Sequence, residues 1–442
     1  MKKKLILLIA VTLFVTQSAF AQNANIVIDI PEDTIPVVVR DWPGSPYAVV
    51  NCTSDSITTW RLYDKTLNGG TAATSYFEIA FPPHTYINDL KVVDDYAFYI
   101  GEQDTNVVIG SIDLSQCLAT GTVSSDLWQI DTMARLSRIE AFKHNNAYHV
   151  YALGTFYDTV DSVYKSILLE ARDIQQSTMC RISILSNADY KVYDDIAITD
   201  KYIVLVGRFY YNAPTNPGRY FIRKTEKALG ILSSTFFSTY FLSGQADYQS
   251  RLAVTKTEGN NFAIAYASLS PTGEFMSRAR LFDAMTMTNL VSQEYYTTEK
   301  ADVYDIVYNR DDEILTVLQP WGNYTYFVPL KINLTGNQYL TCPAYDTDTL
   351  THHYTSMDTV SSVHYLATGR GRLAQRMGFL FYLNALPTTS CFPYTILKVV
   401  QTPNTTLNLL FPGGSIISSP IINYTIQNTV STKTDTPECV SD

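Results

Sequence analysis

"YINDLKVVDDYAFYIG", residues Tyr86 to Gly101, decides how this chain folds. An apolar-alternating run meets an Asp-Asp pair, a second apolar run follows, and a glycine closes it. Alternation at a period of two is the mark of a half-buried strand. Aspartates bond their own backbone and tolerate left-handed conformations, so the pair reverses the chain. The stretch is therefore a β-hairpin.

The same unit recurs along the chain. "LSRIEAFKHNNAYHVYALG" runs from Leu136 to Gly154, "YDDIAITDKYIVLVG" from Tyr193 to Gly207, and "SRLAVTKTEGNNFAIAYAS" from Ser250 to Ser268. "YDIVYNRDDEILTVLQ" covers Tyr304 to Gln319 and "HYTSMDTVSSVHYLATG" covers His353 to Gly369. A weaker first copy, "IPVVVRDWPGSPYAVVNC", covers Ile35 to Cys52. The copies follow one another at about 50 to 60 residues. After each comes a third strand, such as "TTWRLYD" or "NVVIGSID", and then a fourth, such as "SYFEIAF", "CRISIL" or, for the last unit, "YTILKVV".

One four-stranded sheet has two apolar faces and cannot bury both. Packing such sheets around an axis buries each face against the next. The expected fold is all-β: a seven-bladed β-propeller of four-stranded antiparallel blades with a short C-terminal β extension, six or eight blades being the alternatives. The resemblance to β-propellers spans residues 35–400 and rests on period and strand pattern. The Trp-Asp signature of WD40 blades and the paired glycines of kelch blades are missing, so the sequence indicates no named family. Residues 22–34 contain "NIVIDI", an expected strand that adds to a terminal blade and helps close the circle. Residues 401–442 form the extension, expected as a hairpin or small appendage with a mobile tail.

The first residues, "MKKKLILLIAVTLFVTQSAFA", put three lysines before an apolar core and end in Ala19-Phe20-Ala21. This is the pattern of a secretory signal over residues 1–21, too short for a stable membrane anchor. Its removal takes the formal net charge of the 442-residue chain from −10 to −13, because Lys2, Lys3 and Lys4 leave with it. That sign disfavours nucleic acid and anionic lipid. With 46% hydrophobic residues, only 17% charged ones and 32 tyrosines, composition favours strands over helices. The style of the chain resembles secreted proteins of Bacteroidetes-type bacteria. Triplets such as Asp131-Thr132-Met133, Asp158-Thr159-Val160 and Asp358-Thr359-Val360 resemble the O-glycosylation acceptor of that phylum, or arise by chance in a chain rich in Asp and Thr. The six cysteines permit disulfides in an exported protein, or serve as small buried residues.

Nucleophile elbows, P-loops, His-Glu-x-x-His pairs and EF-hand loops are all missing, so no cofactor and no metal is expected. Two constellations remain. The residues that start the inner strands are Asp89, Arg138, Asp195, Arg251, Asp305 and His353, which would alternate acid and base around the mouth of a channel. They form either a polar funnel for a ligand or a set of blade-to-blade ion pairs. Tyr86, Tyr193, Tyr248, Tyr304 and Tyr354 lie on the connecting loops and either stack on a ligand or pack between blades. The arginines are expected to keep the aspartates ionised. Replacing Asp89 and Asp195 by Asn is expected to weaken ligand retention and leave folding intact.

The function expected from this is an exported binding protein, a monomeric ring in the periplasm, on the outer-membrane surface or secreted, that engages a glycan or a protein partner with its loop face. A polysaccharide hydrolase or lyase using the channel carboxylates is one alternative. A structural platform in an envelope assembly is another.

Overall fold

The structure is a computed structural model. It describes residues 24–28, 35–53, 58–65, 74–104, 106–130, 134–158, 163–171, 179–185, 190–210, 218–227, 238–242, 250–269, 273–296, 301–310, 313–321, 324–331, 339–346, 352–361, 364–371, 378–384, 394–402, 405–406, 409–412, 415–420 and 422–440. The expected export signal and Tyr248 lie outside them.

The chain is all-β and is organised in antiparallel meanders, lettered here in chain order. Meander A comprises Ile35–Asp41, Tyr47–Thr53, Thr58–Asp64 and Thr74–Ala80. Meander B comprises Thr85–Val93, Tyr96–Gln103, Asn106–Asp113 and Thr122–Ile130. Meander C runs through Ala134–His144, Ala147–Asp158, Val163–Ala171 and Met179–Ile184, and D through Tyr190–Ile198, Tyr202–Tyr210, Arg219–Glu226 and Ser238–Phe241. Meander E holds Leu252–Lys256, Asn261–Leu269, Phe275–Asp283 and Thr288–Tyr296, and F holds Asp305–Asn309, Ile314–Trp321, Tyr324–Lys331 and Tyr339–Asp346. Meander G takes His352–Ser361, His364–Gly371 and Gly378–Asn384 from the chain in order. Its fourth strand is the N-terminal Ala24–Ile28, which pairs Ala24 with Tyr382 and Ile28 with Gly378. The first strands of successive meanders touch in chain order, and that of G touches that of A.

The turns follow the sequence reading. Asp94 has φ 52°, and Asn145 and Asn146 have φ 49° and 64° in the matching turn of C. A single short helix, α1 (Leu114–Thr120), is found among the described residues. Asp113 caps it by accepting from the Gln116 amide at 2.9 Å, and Gly121 ends it in the left-handed region. No described helix is long and apolar enough to cross a membrane.

Apolar clusters fill the spaces between neighbouring meanders. Between A and B, Trp60 is fully buried and meets Phe81 and Tyr99 edge-on at 4.9 and 5.3 Å. Its indole N–H donates to Asn51 Oδ1 at 3.1 Å, and Asn51 Nδ2 donates to the Ile87 carbonyl at 2.9 Å. This gives a buried polar link from A to B with no unmet donor on the indole. Cys52 and Cys117 are buried and reduced, and burial pushes the Cys117 thiol up to about 12. The side chains of the other cysteines lie outside the described residues.

The recurring glycine has a specific cause. In B, C, D and G the first strand carries a β-bulge, at residues 88, 137, 194 and 355, and the glycine lies directly opposite. A Cβ at Gly101 would sit 1.9 Å from the Tyr86 carbonyl oxygen, and one at Gly207 2.2 Å from that of Val192. The glycine makes room for the bulge, and the bulge re-aims the residue after it. Gly101→Ala forces backbone to move and is expected to cost about 2 to 3 kcal/mol. A fall in the denaturation midpoint at unchanged slope would show this, and a wild-type midpoint would refute the steric account.

The tail departs most from the sequence reading. "YTILKVV" is not the fourth strand of G. Tyr394–Thr402 instead lies between Thr288–Tyr296 of E and Tyr339–Asp346 of F, pairing with both. From there the tail passes the outer strands in reverse order. Thr405–Thr406 pairs with E, Leu409–Pro412 with D and Ser415–Pro420 with C. The long strand Ile422–Val440 pairs with B, then A, then the N-terminal strand held by G. The expected appendage is a belt. The physical reason is edge protection: an outer strand presents a row of unmet N–H and C=O groups that another strand satisfies.

Candidate functional site

Where the first strands converge they wall a polar cavity of about 340 Å³. Of the residues read from the sequence, Asp89, Arg138, Asp195, Arg251 and Asp305 line it. His353 lies at the start of the first strand of G, and its side chain is outside the described residues.

Three aspartates are held alike. Asp89 Oδ1 accepts from its neighbour Leu90 N–H at 2.9 Å, while Oδ2 accepts from Ile139 N–H, on the first strand of C, at 3.1 Å. Asp195 repeats this with Ile196 at 2.9 Å and Val254 of E at 2.8 Å. Asp305 repeats it with Ile306 and with Met357 of G, both at 2.9 Å. Each carboxylate thus staples its strand to the next meander and satisfies amides that the bare strand would leave open.

The staples also fix the alignment. Val254 and Met357 stand where Ile139 stands, so Ala253 and Ser356 are the structural equivalents of Arg138. Arg251 and His353 are not. Arg251 precedes its strand, which starts at Leu252, and the bulge at residue 355 displaces His353 from the register. Acid and base do not alternate around the whole cavity.

A second tier, two residues further along each strand, went unread in the sequence. It contains Arg40, Lys91, Glu140 and Asp358. The period-two rule would have found it, since residues i and i+2 share a face. Asp358 is a fourth staple: Thr359 N–H donates to Oδ1 at 2.8 Å and Asp41 N–H, on meander A, donates to Oδ2 at 2.9 Å. Lys91 pairs with Glu140 at 3.0 Å. Arg40 donates to Asp89 Oδ1 at 2.9 Å, Ser356 Oγ at 2.9 Å and the carbonyls of Leu90 and Val39 at 3.0 and 2.8 Å, and faces Asp305 at 3.9 Å.

Burial disfavours every charge here, and the outcome depends on partners. For Arg40, burial lowers the pKa, but Asp89, Asp305, Asp358 and Glu140 outweigh it and hold the guanidinium above its ordinary value. Arg138 is raised likewise by Asp195, Asp89 and Asp305 against burial. Burial wins at Asp195, pushing it up to about 7 although Arg138 and the Val254 amide oppose it. Asp305 is raised by burial against Arg40. The expectation that the arginines keep all the aspartates ionised is therefore corrected: desolvation of a walled carboxylate outweighs a guanidinium at 3.5 Å, the Arg138–Asp195 distance.

Open hydrogen-bonding capacity is on the donor side. Arg138 reaches Asp195 only through Nε, which leaves its terminal amino groups without a hydrogen bond among the described residues. The exposed Arg251 side chain makes no hydrogen bond there either, and its charge is felt by Asp194. Among the described residues no cluster of His, Cys, Asp and Glu has the geometry of a metal site.

The aromatic set is scattered. Tyr304 is half-buried and lines the cavity, and Tyr86 is half-buried on the first strand of B. Tyr193 is buried between C and D, donates to the Leu185 carbonyl at 3.3 Å and accepts from Arg223, so it is core and not a loop-face residue. The side chain of Tyr354 lies outside the described residues. No protein-family model matches the chain, and no curated protein is detectably similar to it in sequence.

Proposed function

We propose that the chain is a seven-bladed β-propeller acting outside the cytoplasm as a binding protein, with a glycan held at the mouth of its central cavity. Seven meanders in one circular order support the architecture. So does the junction of G with A, where Asp358 and Ser356 accept from the amides of Asp41 and Val39, residues 317 apart in sequence. The observation that carries the function is the cavity. At about 340 Å³ it falls in the range of small-ligand sites. Its four aspartates are fixed in the frame by backbone amides and Glu140 by Lys91, while the Arg138 and Arg251 donors remain open toward the space. An array so pre-organised favours recognition, because little ordering is left to complete on binding.

The test is titration of the purified mature chain against a glycan array, followed by calorimetry of any bound glycan with the Arg138→Gln, Arg251→Gln double variant. Affinity is expected to fall at least about tenfold, the value of one or two charge-assisted hydrogen bonds. An array with no bound member, or an undiminished affinity in the variant, would overturn the reading. Asp195, with its pKa near 7, favours glycan hydrolysis as the second reading. Release of reducing ends from a bound glycan would establish it in place of simple binding.

A further inference from the structure

Resting on the reading of the cavity as a glycan site, we infer that its ligand is an acidic sugar, a uronate-type residue whose carboxylate is received by the Arg138 and Arg251 guanidinium groups and whose binding draws one proton into the cavity wall. The argument is one of satisfiability. Guanidinium groups donate only, and ionised carboxylates accept only. The acceptors in the wall already receive protein donors: Asp89, Asp195, Asp305 and Asp358 each take two backbone amides, and Glu140 takes Lys91. Arg40 is committed too, through four hydrogen bonds. What remains unmet among the described guanidinium groups of the cavity wall is the donor capacity of Arg138 and Arg251. A ligand that satisfies it must present acceptors, and a planar carboxylate matches a guanidinium fork in two parallel bonds. A monoanion suits the site better than a phosphate dianion, because five carboxylates already line the cavity and repulsion grows with ligand charge.

The proton follows from the same contacts. Asp195 is faced by Arg138 from the first strand of meander C, by Asp305 across the cavity, and by the amides of Ile196 and Val254. Its neighbour Asp194 is tied to Arg208 through two bonds of 2.9 and 2.6 Å and does not compete for Arg138. When Arg138 turns its charge to the ligand carboxylate, Asp195 loses the contact that most favours its ionised form and gains a nearby anion. It then takes a proton from solvent, using a lone pair that the amides leave open. The pKa of Asp195 rises on binding, so affinity is flat below its free value near 7 and declines as pH rises above it.

The experiment uses the full mature chain and an array in which each acidic glycan stands beside its carboxyl-reduced counterpart. Binding is expected only to acidic members. For the bound glycan, affinity near pH 8.5 should be about fivefold or more below that near pH 6.5. Calorimetry in two buffers of different ionisation enthalpy should register net proton uptake. Arg138→Gln should abolish the pH dependence as well as weaken binding, because it removes the group that couples Asp195 to the ligand. A reduced glycan bound as tightly as its acidic partner, or binding without proton uptake, would overturn the inference and leave the glycan-site reading standing. An array with no bound member removes that reading itself.

Discussion

Deletion of residues 394–442 is expected to make the chain aggregate, with any remaining folded material melting more than about 10 °C lower. The tail is not an appendage. It pairs with Ser292–Tyr295 in E, Ser238–Tyr240 in D, Met179–Ile184 in C, Thr122–Gln129 in B and Thr74–Ile79 in A. It also pairs with Tyr339–Tyr345 in F and with the N-terminal Ala24–Val27 held by G, so removing it uncovers seven outer strands at once, each a template for a strand from another molecule. Net stabilities are about 5 to 15 kcal/mol, so losing ladder bonds along seven edges is a large fraction of the whole. Because aggregation hides the melting temperature of the deleted chain, a second measurement is needed. A protease site placed between Asn384 and Tyr394 in the full chain allows cutting after folding. The cut tail should co-elute with the body in native gel filtration and leave it in mild denaturant. Immediate loss of the tail, with the body still soluble and unchanged in melting temperature, would refute the belt.

Asp89→Ala is expected to cost about 3 to 5 kcal/mol, the largest effect of any single polar substitution in the cavity wall. The Asp89 side chain is 2% exposed and ends on Arg40 and on the amides of Leu90 and Ile139. Its loss leaves a buried guanidinium short of its closest carboxylate and two N–H groups without an acceptor. Asp89→Asn does not repair this, because the amide turns an N–H₂ donor toward groups that already donate. Folding is therefore sensitive to the change that the sequence reading treats as silent. Arg40→Met in the Asp89→Ala background should recover part of the loss by removing the stranded charge, a coupling that a double-mutant cycle in urea measures directly. A single-variant cost under about 1 kcal/mol would show that the staple carries no weight.

The contrast between these two regions explains what could be read in advance. The hairpin units were legible because alternation and turn chemistry are local: Tyr47, Tyr96 and Tyr202 each begin the second strand expected of them. Asp89, Arg138, Asp195 and Asp305 were legible as cavity residues for the same reason, each preceding an apolar strand position. Arg251 and His353 look equivalent to them by position, but Arg251 stands before its strand and a bulge shifts His353, and counting letters reveals neither. Tyr193 looks like a loop residue in sequence and is core in the fold, since the sheet of the preceding meander packs on it.

Strand, turn and glycine positions were thus set by the sequence alone, through forces that act between residues a few positions apart. The tertiary structure decided which strand covers each outer edge, which carboxylate holds Arg40, and that burial outweighs Arg138 at Asp195. Those outcomes depend on groups 49 or more residues apart in sequence coming together. Desolvation and long-range pairing are properties of that assembly, and no local pattern encodes them.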